Sequence, residues 1–386
     1  MGGILNRQQK SCCVLHVVGS MNRGGAENWL MSLLRKVNRN SLAMGFCALL
    51  GEQGTYAAEI KSLGGRVFSC RVRPLLTFAK RLERIIREGK YNVVHCHTWL
   101  FSGVVLRIAH RCGVPVRIAY AHTTRDVYAP SLYRKFYGWM MRRMIMKHAT
   151  HCLACSSEAA SALFTANWQS ISKCRLLYTG IDIEAFQPGQ KPTVCKSDFG
   201  IPSDACVVGH VGSFRPAKNH SFFLDIASEF VRLEPRAYFF LAGDGELRRE
   251  AEQKAERLGI KAKTIFAGNR QDVPQLMMNV FDVLLFPSIY EGMPLTLVEA
   301  AAAGLRAICS DVITPEATNV LPEAFTRLSL ELGAEQWALA VNKVVKRGRM
   351  PHEDAYQCVE KSHFSDSFSL RELKAIYGCD ASYVQQ

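Results

Sequence analysis

The stretch DVLLFPSIYEGMPLTLVEAAAAG, residues 282–304, decides how the rest of the chain reads. Its opening DVLLFPS is a short apolar run suited to a buried parallel strand, after which the chain turns at Glu291 and Gly292 and enters a helix near Pro294. In open α/β sheets, ligands bind where a strand's carboxyl end passes through such a turn into a helix. Gly292 lets the backbone approach a ligand closely, and Pro294 suits a first helical turn, where its missing N–H would be unpaired in any case. Free amides and the helix dipole then favour an anion such as phosphate. Two carboxylates follow the strand, Glu291 before the helix and, eight residues on, Glu299 within it. Acids repel phosphate but accept hydrogen bonds from hydroxyls, so the combination fits a sugar nucleotide. Spacing alone fits two solvated acids near a helix start equally well.

The same pattern continues outward. The β-rich runs CCVLHVV, FCALL, NVVHCH, VRIAYAH and HCLACS alternate with helical patterns in the first half, as do CVVGHV, AYFFLAG, TIFAG, VLLFP and RAICS in the second. That alternation predicts parallel sheets covered by helices, and 386 residues suffice for two domains. The segment TGIDIEAFQPGQKP, residues 179–192, is the natural linker, and FSDSFSLRELKAIYG, residues 364–378, reads as a loop followed by a helix beginning after Ser369. The expected divisions are 1–185, 193–363 and a terminal segment 364–386.

A hydrophobic content of 48% with 21% charged residues excludes a disordered chain. No apolar run approaches a membrane span, and residues 1–10, MGGILNRQQK, lack the apolar core of a signal peptide. Asn6 stands where a myristoylation motif wants Ser or Thr, so the expected location is the cytoplasm. The fourteen cysteines are scattered singly through apparent strands, which suits reduced, buried thiols. Cys152 and Cys155 form the one C-x-x-C, in a run that reads as a strand, where positions three apart face opposite ways. The formal charge of +14 is uneven: residues 1–190 hold 26 Lys and Arg against 9 Asp and Glu, and the remainder 22 against 25. A basic first half suits an anionic membrane surface or a phosphorylated acceptor; no nucleic-acid motif accompanies it, and no nucleic-acid partner is expected.

Two further strand-to-helix loops carry chemistry. In VLHVVGSMNRGGAENWLMSLLRKV, residues Ala26, Trp29, Leu30, Leu33, Leu34 and Val37 share one helical face, while Gly24 and Gly25 let the preceding loop approach a ligand. The G-x-G-x-x-G spacing of a dinucleotide site is missing there. In CVVGHVGSFRPAKNHSFFLDIA, Arg215 and Lys218 lie between strand and helix, where cations can neutralise a departing diphosphate. Two solvated loop cations are the plainer alternative. His95, His97 and His122 end strands of the first half, His95 and His97 on one face of theirs.

The Glu291-x7-Glu299 spacing, the GGAE tetrapeptide beginning at Gly24 and the Lys218 loop together resemble glycosyltransferase family 4 (group 1), the retaining transferases of the GT-B fold, and within it the transferases of bacterial exopolysaccharide and capsule assembly. The resemblance implies an α/β fold of two Rossmann-like domains with parallel sheets facing across a cleft. The first domain would take the acceptor and the second the nucleotide sugar, with the terminal segment crossing back to the first. It implies that Glu291 holds hydroxyls of the donor sugar and Glu299 the ribose. Gly292, Met293, Pro294, Gly24 and Gly25 would contact the donor, and Asn269 and Arg270 would border the nucleotide. His122 would stand near the reacting sugar, with His97 a second candidate. Family 4 commonly places an arginine straight after the glycine and a lysine five residues later. Lys218 matches the lysine, but Ser213 occupies the arginine position and Arg215 lies two residues on, a displacement that returns to the same side of an extended segment.

The expected reaction is sugar transfer with retention from a nucleotide-diphosphate sugar, UDP-linked, to a hydroxyl of a sugar or lipid-linked sugar. No cofactor and no metal are expected, since no Asp-x-Asp pair stands at a strand end. A GT-B-shaped sugar-nucleotide epimerase and a catalytically silent sugar-nucleotide-binding subunit are the alternatives. Membrane-surface contact rests on FAKRLERIIREGK, which aligns Arg81, Arg84 and Arg87, and on SLYRKFYGWMMRRMIMKHA. In the second, Lys135 and Arg142 fall close together on the helical wheel, as do Arg143 and Lys147, but methionines and aromatics occupy every side, and a buried helix with snorkelling cations accounts for it equally.

Overall fold

In the computed structural model, which describes residues 12–22, 24–124 and 131–379, the alternation of strands and helices resolves into two units. Unit 1 comprises Met1–Gly180 with Asp366–Gln386, and unit 2 comprises Ile181–Ser365. The expectations drawn from residues 1–10 lie outside the described residues.

Unit 1 contains β1 (Cys12–Val18), β2 (Leu42–Ala48), β3 (Arg66–Ser69), β4 (Val93–Cys96), β5 (Val116–Ala121), β6 (His151–Ala154) and β7 (Cys174–Leu176), in the order β3-β2-β1-β4-β5-β6-β7. Every pairing is parallel. The chain winds outward from β1 to β3, returns to β4 on the other side of β1, and winds outward again. β1 and β4 therefore flank the switch point, where loops leave in opposite directions and open a crevice.

Unit 2 repeats the plan with β8 (Val207–Val211), β9 (Tyr238–Ala242), β10 (Thr264–Gly268), β11 (Val283–Phe286), β12 (Ala307–Ser310) and β13 (Phe325–Leu328), ordered β10-β9-β8-β11-β12-β13 and again parallel throughout. Its switch point lies between β8 and β11. One face of this sheet is covered by helices His220–Leu233 and Ala334–Lys346, whose Phe223, Leu224, Phe230, Trp337 and Val341 pack onto Phe239, Leu241, Val283 and Leu285. Each such side chain contributes about 1.5–3 kcal/mol of apolar burial.

Three local expectations change. Most of the segment read as a linker is built into unit 2: Ile181, Ile183 and Phe186 are buried, Ile183–Phe186 is a short 3-10 helix, and Ile181 forms an isolated bridge with Ser365. The last helix starts at Asp366 rather than after Ser369. Asp366 is buried, accepts from Ser32 and pairs with Lys36 at 2.9 Å, while Ser369 accepts from the Trp29 indole at 3.0 Å. The helix Leu132–His148 buries only Gly138, Met141, Ile145 and His148, so it is not a buried helix. Among the described residues no helix is long and apolar enough to cross a membrane, and all fourteen cysteines are free thiols.

Candidate functional site

At the switch point of unit 2, the loop after β8 and the loop after β11 are laced together. The Ile289 amide donates to the Ala217 carbonyl at 2.8 Å, and the Asn219 side chain donates to the Pro287 carbonyl at 3.2 Å. Asn219 takes left-handed backbone, φ 55°, a conformation asparagine tolerates, and from it the helix His220–Leu233 departs. This lacing brings Lys218 and Glu291 together, Nζ to Oε1 at 2.7 Å, with their side chains only 16% and 14% exposed. The ammonium also lies 4.5 Å above the Phe286 ring.

Behind the lysine the backbone is crowded. A side chain on Gly212 would press on the Lys218 methylenes, and one on Gly243, whose φ is 145°, would collide with the Gly212 carbonyl. Glu299 is in helix Leu295–Ala302, and burial pushes its carboxyl up to about 7, with Lys218 pulling the other way. Pro294 is the cap of this helix, one residue before the first turn where the sequence placed it. The Gly292 and Met293 amides donate to no acceptor among the described residues. Two unengaged amides, a cation and two carboxylates thus occur within one turn-and-helix segment and the loop beside it.

The other residues named for this half are less gathered. Arg215 is exposed, and its guanidinium has no partner among the described residues. Asn269 is exposed. Arg270 is held by a two-pronged pair with Asp272, at 2.8 and 2.5 Å, and lies 5.3 Å above the Phe199 ring, so its charge is already matched.

At the switch point of unit 1, β1 leads into the loop holding Gly24 and Gly25, and β4 leads directly into His97. Gly24 is the extended cap of helix Gly25–Lys36, and a side chain there would meet the Glu27 carboxyl, whereas Gly25 has open space. His97 Nδ1 lies 2.7 Å from His122 Nε2, and His97 Nε2 lies 3.1 Å from His16 Nδ1. Three imidazoles thus form one hydrogen-bonded chain. His16 was not singled out in the sequence; the signal was a polar residue inside the apolar run CCVLHVV, and parallel register sets it beside His95. His95 is a core residue, its Nδ1 2.8 Å from the Tyr377 hydroxyl.

Burial pushes His16 and His122 down to about 3 and His95 and His97 well below the usual imidazole range, so all four are neutral at pH 7. Among the described residues His16, His95 and His97 are the one cluster with metal-ligand potential, their nitrogens within 4.8 Å of one another. It contains no carboxylate; His16 Nδ1 and His97 Nε2 bond each other and His95 Nδ1 bonds the Tyr377 hydroxyl, while His16 Nε2 and His95 Nε2 are buried with no partner among the described residues.

Residues 195–360 match the family model described as glycosyl transferases group 1, and residues 23–185 match the one described as Glycosyltransferase Family 4. The chain is 36% identical over 385 residues to the putative glycosyltransferase EpsF of Bacillus subtilis, covering 97% of each protein. Over 240 residues it is 28% identical to the UDP-Gal:alpha-D-GlcNAc-diphosphoundecaprenol alpha-1,3-galactosyltransferase of Escherichia coli, covering 60% of each. The crystal structure of Anabaena HepE in complex with UDP-glucose has the same fold, with a TM-score of 0.76 at 18% identity over 95% of this chain and 99% of that one. Two parallel sheets with reactive groups at their switch points, matched along nearly the whole length by a transferase, leave one assignment: the chain belongs to the group 1 glycosyltransferases and has their GT-B fold.

Proposed function

We propose that the chain transfers a sugar, with retention at the anomeric carbon, from a UDP-linked sugar to a hydroxyl of a sugar or lipid-linked sugar during bacterial surface-polysaccharide assembly. The observation that carries this reading is the Lys218–Glu291 pair at 2.7 Å, largely screened from water beside Glu299 and two unengaged amides. The diphosphate competes for Lys218 while hydroxyls of the sugar donate to Glu291 and those of the ribose to Glu299. As the anomeric carbon–phosphate oxygen bond breaks, the acceptor oxygen bonds from the same face, and its proton passes to the departing phosphate. Lys218, Arg215 and the amides of Gly292 and Met293 stabilise the charge that accumulates there. No protein nucleophile and no metal are needed. The UDP-Gal for which the Escherichia coli relative is named and the UDP-glucose held by HepE support the donor class.

The test is a panel of UDP-, GDP- and ADP-sugars scored by thermal stabilisation, followed by turnover with candidate acceptors and NMR assignment of the product anomer. A UDP-sugar is expected to stabilise the protein and to give a retained product in the presence of EDTA. An inverted product, or activity lost to EDTA and restored by manganese, overturns the reading. Rearrangement of donor alone identifies an epimerase. Exposed, unpartnered Arg215, displaced from Ser213, favours a second reading, a silent binding subunit; nucleotide binding without turnover across a broad acceptor set identifies it.

The proposed site of action is the cytoplasmic membrane surface. The acid-free helix Leu132–His148 exposes Leu132, Tyr133, Phe136, Trp139 and Met140. Trp139, Met140, Arg143 and Lys147 line an open cavity of about 470 Å³. On helix Leu75–Glu88 the buried Phe78, Leu82, Ile85 and Ile86 leave Arg81, Arg84 and Arg87 outward. Aromatic anchors beside cations suit an anionic interface. Flotation with anionic vesicles is expected at low salt and lost at high salt; failure to float at low salt removes this proposal.

A further inference from the structure

The histidine chain of unit 1 has a property beyond the position of any one ring. Each neutral imidazole has one N–H and one bare nitrogen, so two consecutive ring-to-ring hydrogen bonds lock three rings into one direction of donation. Only two arrangements exist. In the first, His16 Nδ1–H donates to His97 Nε2 and His97 Nδ1–H donates to His122 Nε2, which leaves His122 with its hydrogen on Nδ1. In the second, every donation reverses: His122 Nδ1 is bare, and His16 must carry its hydrogen on Nε2.

The far end of the chain chooses between them. His16 Nε2 is completely buried and has no partner among the described residues. Its ring is wedged between Phe46, 5.4 Å away and stacked, and His95, 5.2 Å away. His95 offers it no complementary contact, since His95 Nε2 is also unpartnered. A buried N–H without an acceptor is the rarer and costlier defect, whereas a bare ring nitrogen in an apolar pocket leaves no donor stranded. The first arrangement is therefore the stable one. Burial keeps all three rings neutral, so no doubly protonated ring interrupts the chain.

We propose that His16, through His97, is a positioning residue that fixes His122 as the Nδ1–H tautomer, so that His122 meets its substrate as a hydrogen-bond donor to an oxygen and does not serve as a base. The placement of His122 beside the sugar rests on the function proposed above; the tautomer itself does not. His122 Nδ1 has no partner among the described residues, and the residue is partly exposed, so this N–H is available to a hydroxyl or ring oxygen. A donor here fits a reaction whose acceptor proton goes to the phosphate, because a second base at the sugar would have no proton to take.

The experiment is long-range proton–nitrogen NMR on full-length protein labelled at histidine nitrogens, with the His122 signals assigned by their loss in His122→Gln. The Nδ1–H pattern is expected for His122 and for His97 in the unliganded wild type. His16→Leu removes the anchor, mixes the His122 tautomers and lowers kcat roughly 10- to 100-fold, as loss of an orienting partner does elsewhere. His16→Asn, whose amide can donate to His97 Nε2, restores most of kcat and the Nδ1–H pattern. An Nε2–H pattern for His122 in the wild type overturns the proposal without any variant, as does an unchanged tautomer and kcat in His16→Leu. If His122→Ala turns over normally while the wild-type tautomer is as stated, the chain stands and the placement of His122 at the sugar falls.

Discussion

At the β8/β11 switch point of unit 2 the loops assemble a lysine, two carboxylates and unengaged amides, while at the β1/β4 switch point of unit 1 the same kind of loops assemble imidazoles that stay neutral. The sheets share the topology of their switch points, so the difference is in what the loops supply. On the function proposed above, the charged groups suit a diphosphate, where negative charge grows as the bond breaks. Neutral donors suit a partner made of hydroxyls, whose charge changes little. On that reading, one architecture divides electrostatic work from orientation.

The largest expected effect tests the charged side. Lys218→Ala is expected to lower kcat about 100- to 1,000-fold with unchanged circular dichroism, as removal of one transition-state donor does. Arg215→Ala, removing an exposed and unpartnered guanidinium, is expected to cost less than Lys218→Ala. Equal losses would show that the displaced arginine shares the charge fully, and near-normal activity of Lys218→Ala would end the assignment of unit 2 as the electrostatic half.

A smaller effect lies in the pH dependence of stability. Folding raises Glu299 from its usual 4.5 to about 7, so the folded state binds the proton more tightly than the unfolded one. Its stabilising contribution is complete below 4.5 and is lost as pH rises through about 7. The melting temperature is therefore expected to fall across that window, and Glu299→Gln is expected to flatten the fall; an identical profile for the variant would place the titration elsewhere. The neutral histidines of unit 1 contribute in the opposite sense at acid pH, since charging them penalises the folded state.

The smallest effect probes the neutral side. Tyr377→Phe removes the partner of His95 Nδ1 and is expected to cost about 1–3 kcal/mol in urea unfolding while leaving turnover intact. A large loss of turnover with little loss of stability would make the core array part of the reaction.

The strand-turn-helix at Glu291 and the loop at Lys218 were legible in the sequence because each is local: an apolar run, a glycine and a helix start fall within a few residues. Pro294 was one position off because helix ends are set by which carbonyl accepts first; here the Pro294 carbonyl accepts from Leu297 at 2.9 Å. The early start of the last helix was hidden because Asp366 is held by Ser32 and Lys36, more than 300 residues away. His16 was hidden because its partners depend on strand register, which a single sequence does not state. The helix Leu132–His148 carries aromatics all round, so its wheel could not say which stripe the fold would cover.

The return of Asp366, Ser369 and Tyr377 to the first unit has a consequence for the order of synthesis. The half made first lacks its final helix, Asp366–Tyr377, until the whole of the other unit has been synthesised, whereas the half made second has all its residues by Ser365. A stop codon just after Ser365 would therefore damage the amino-terminal half and spare the neighbouring one.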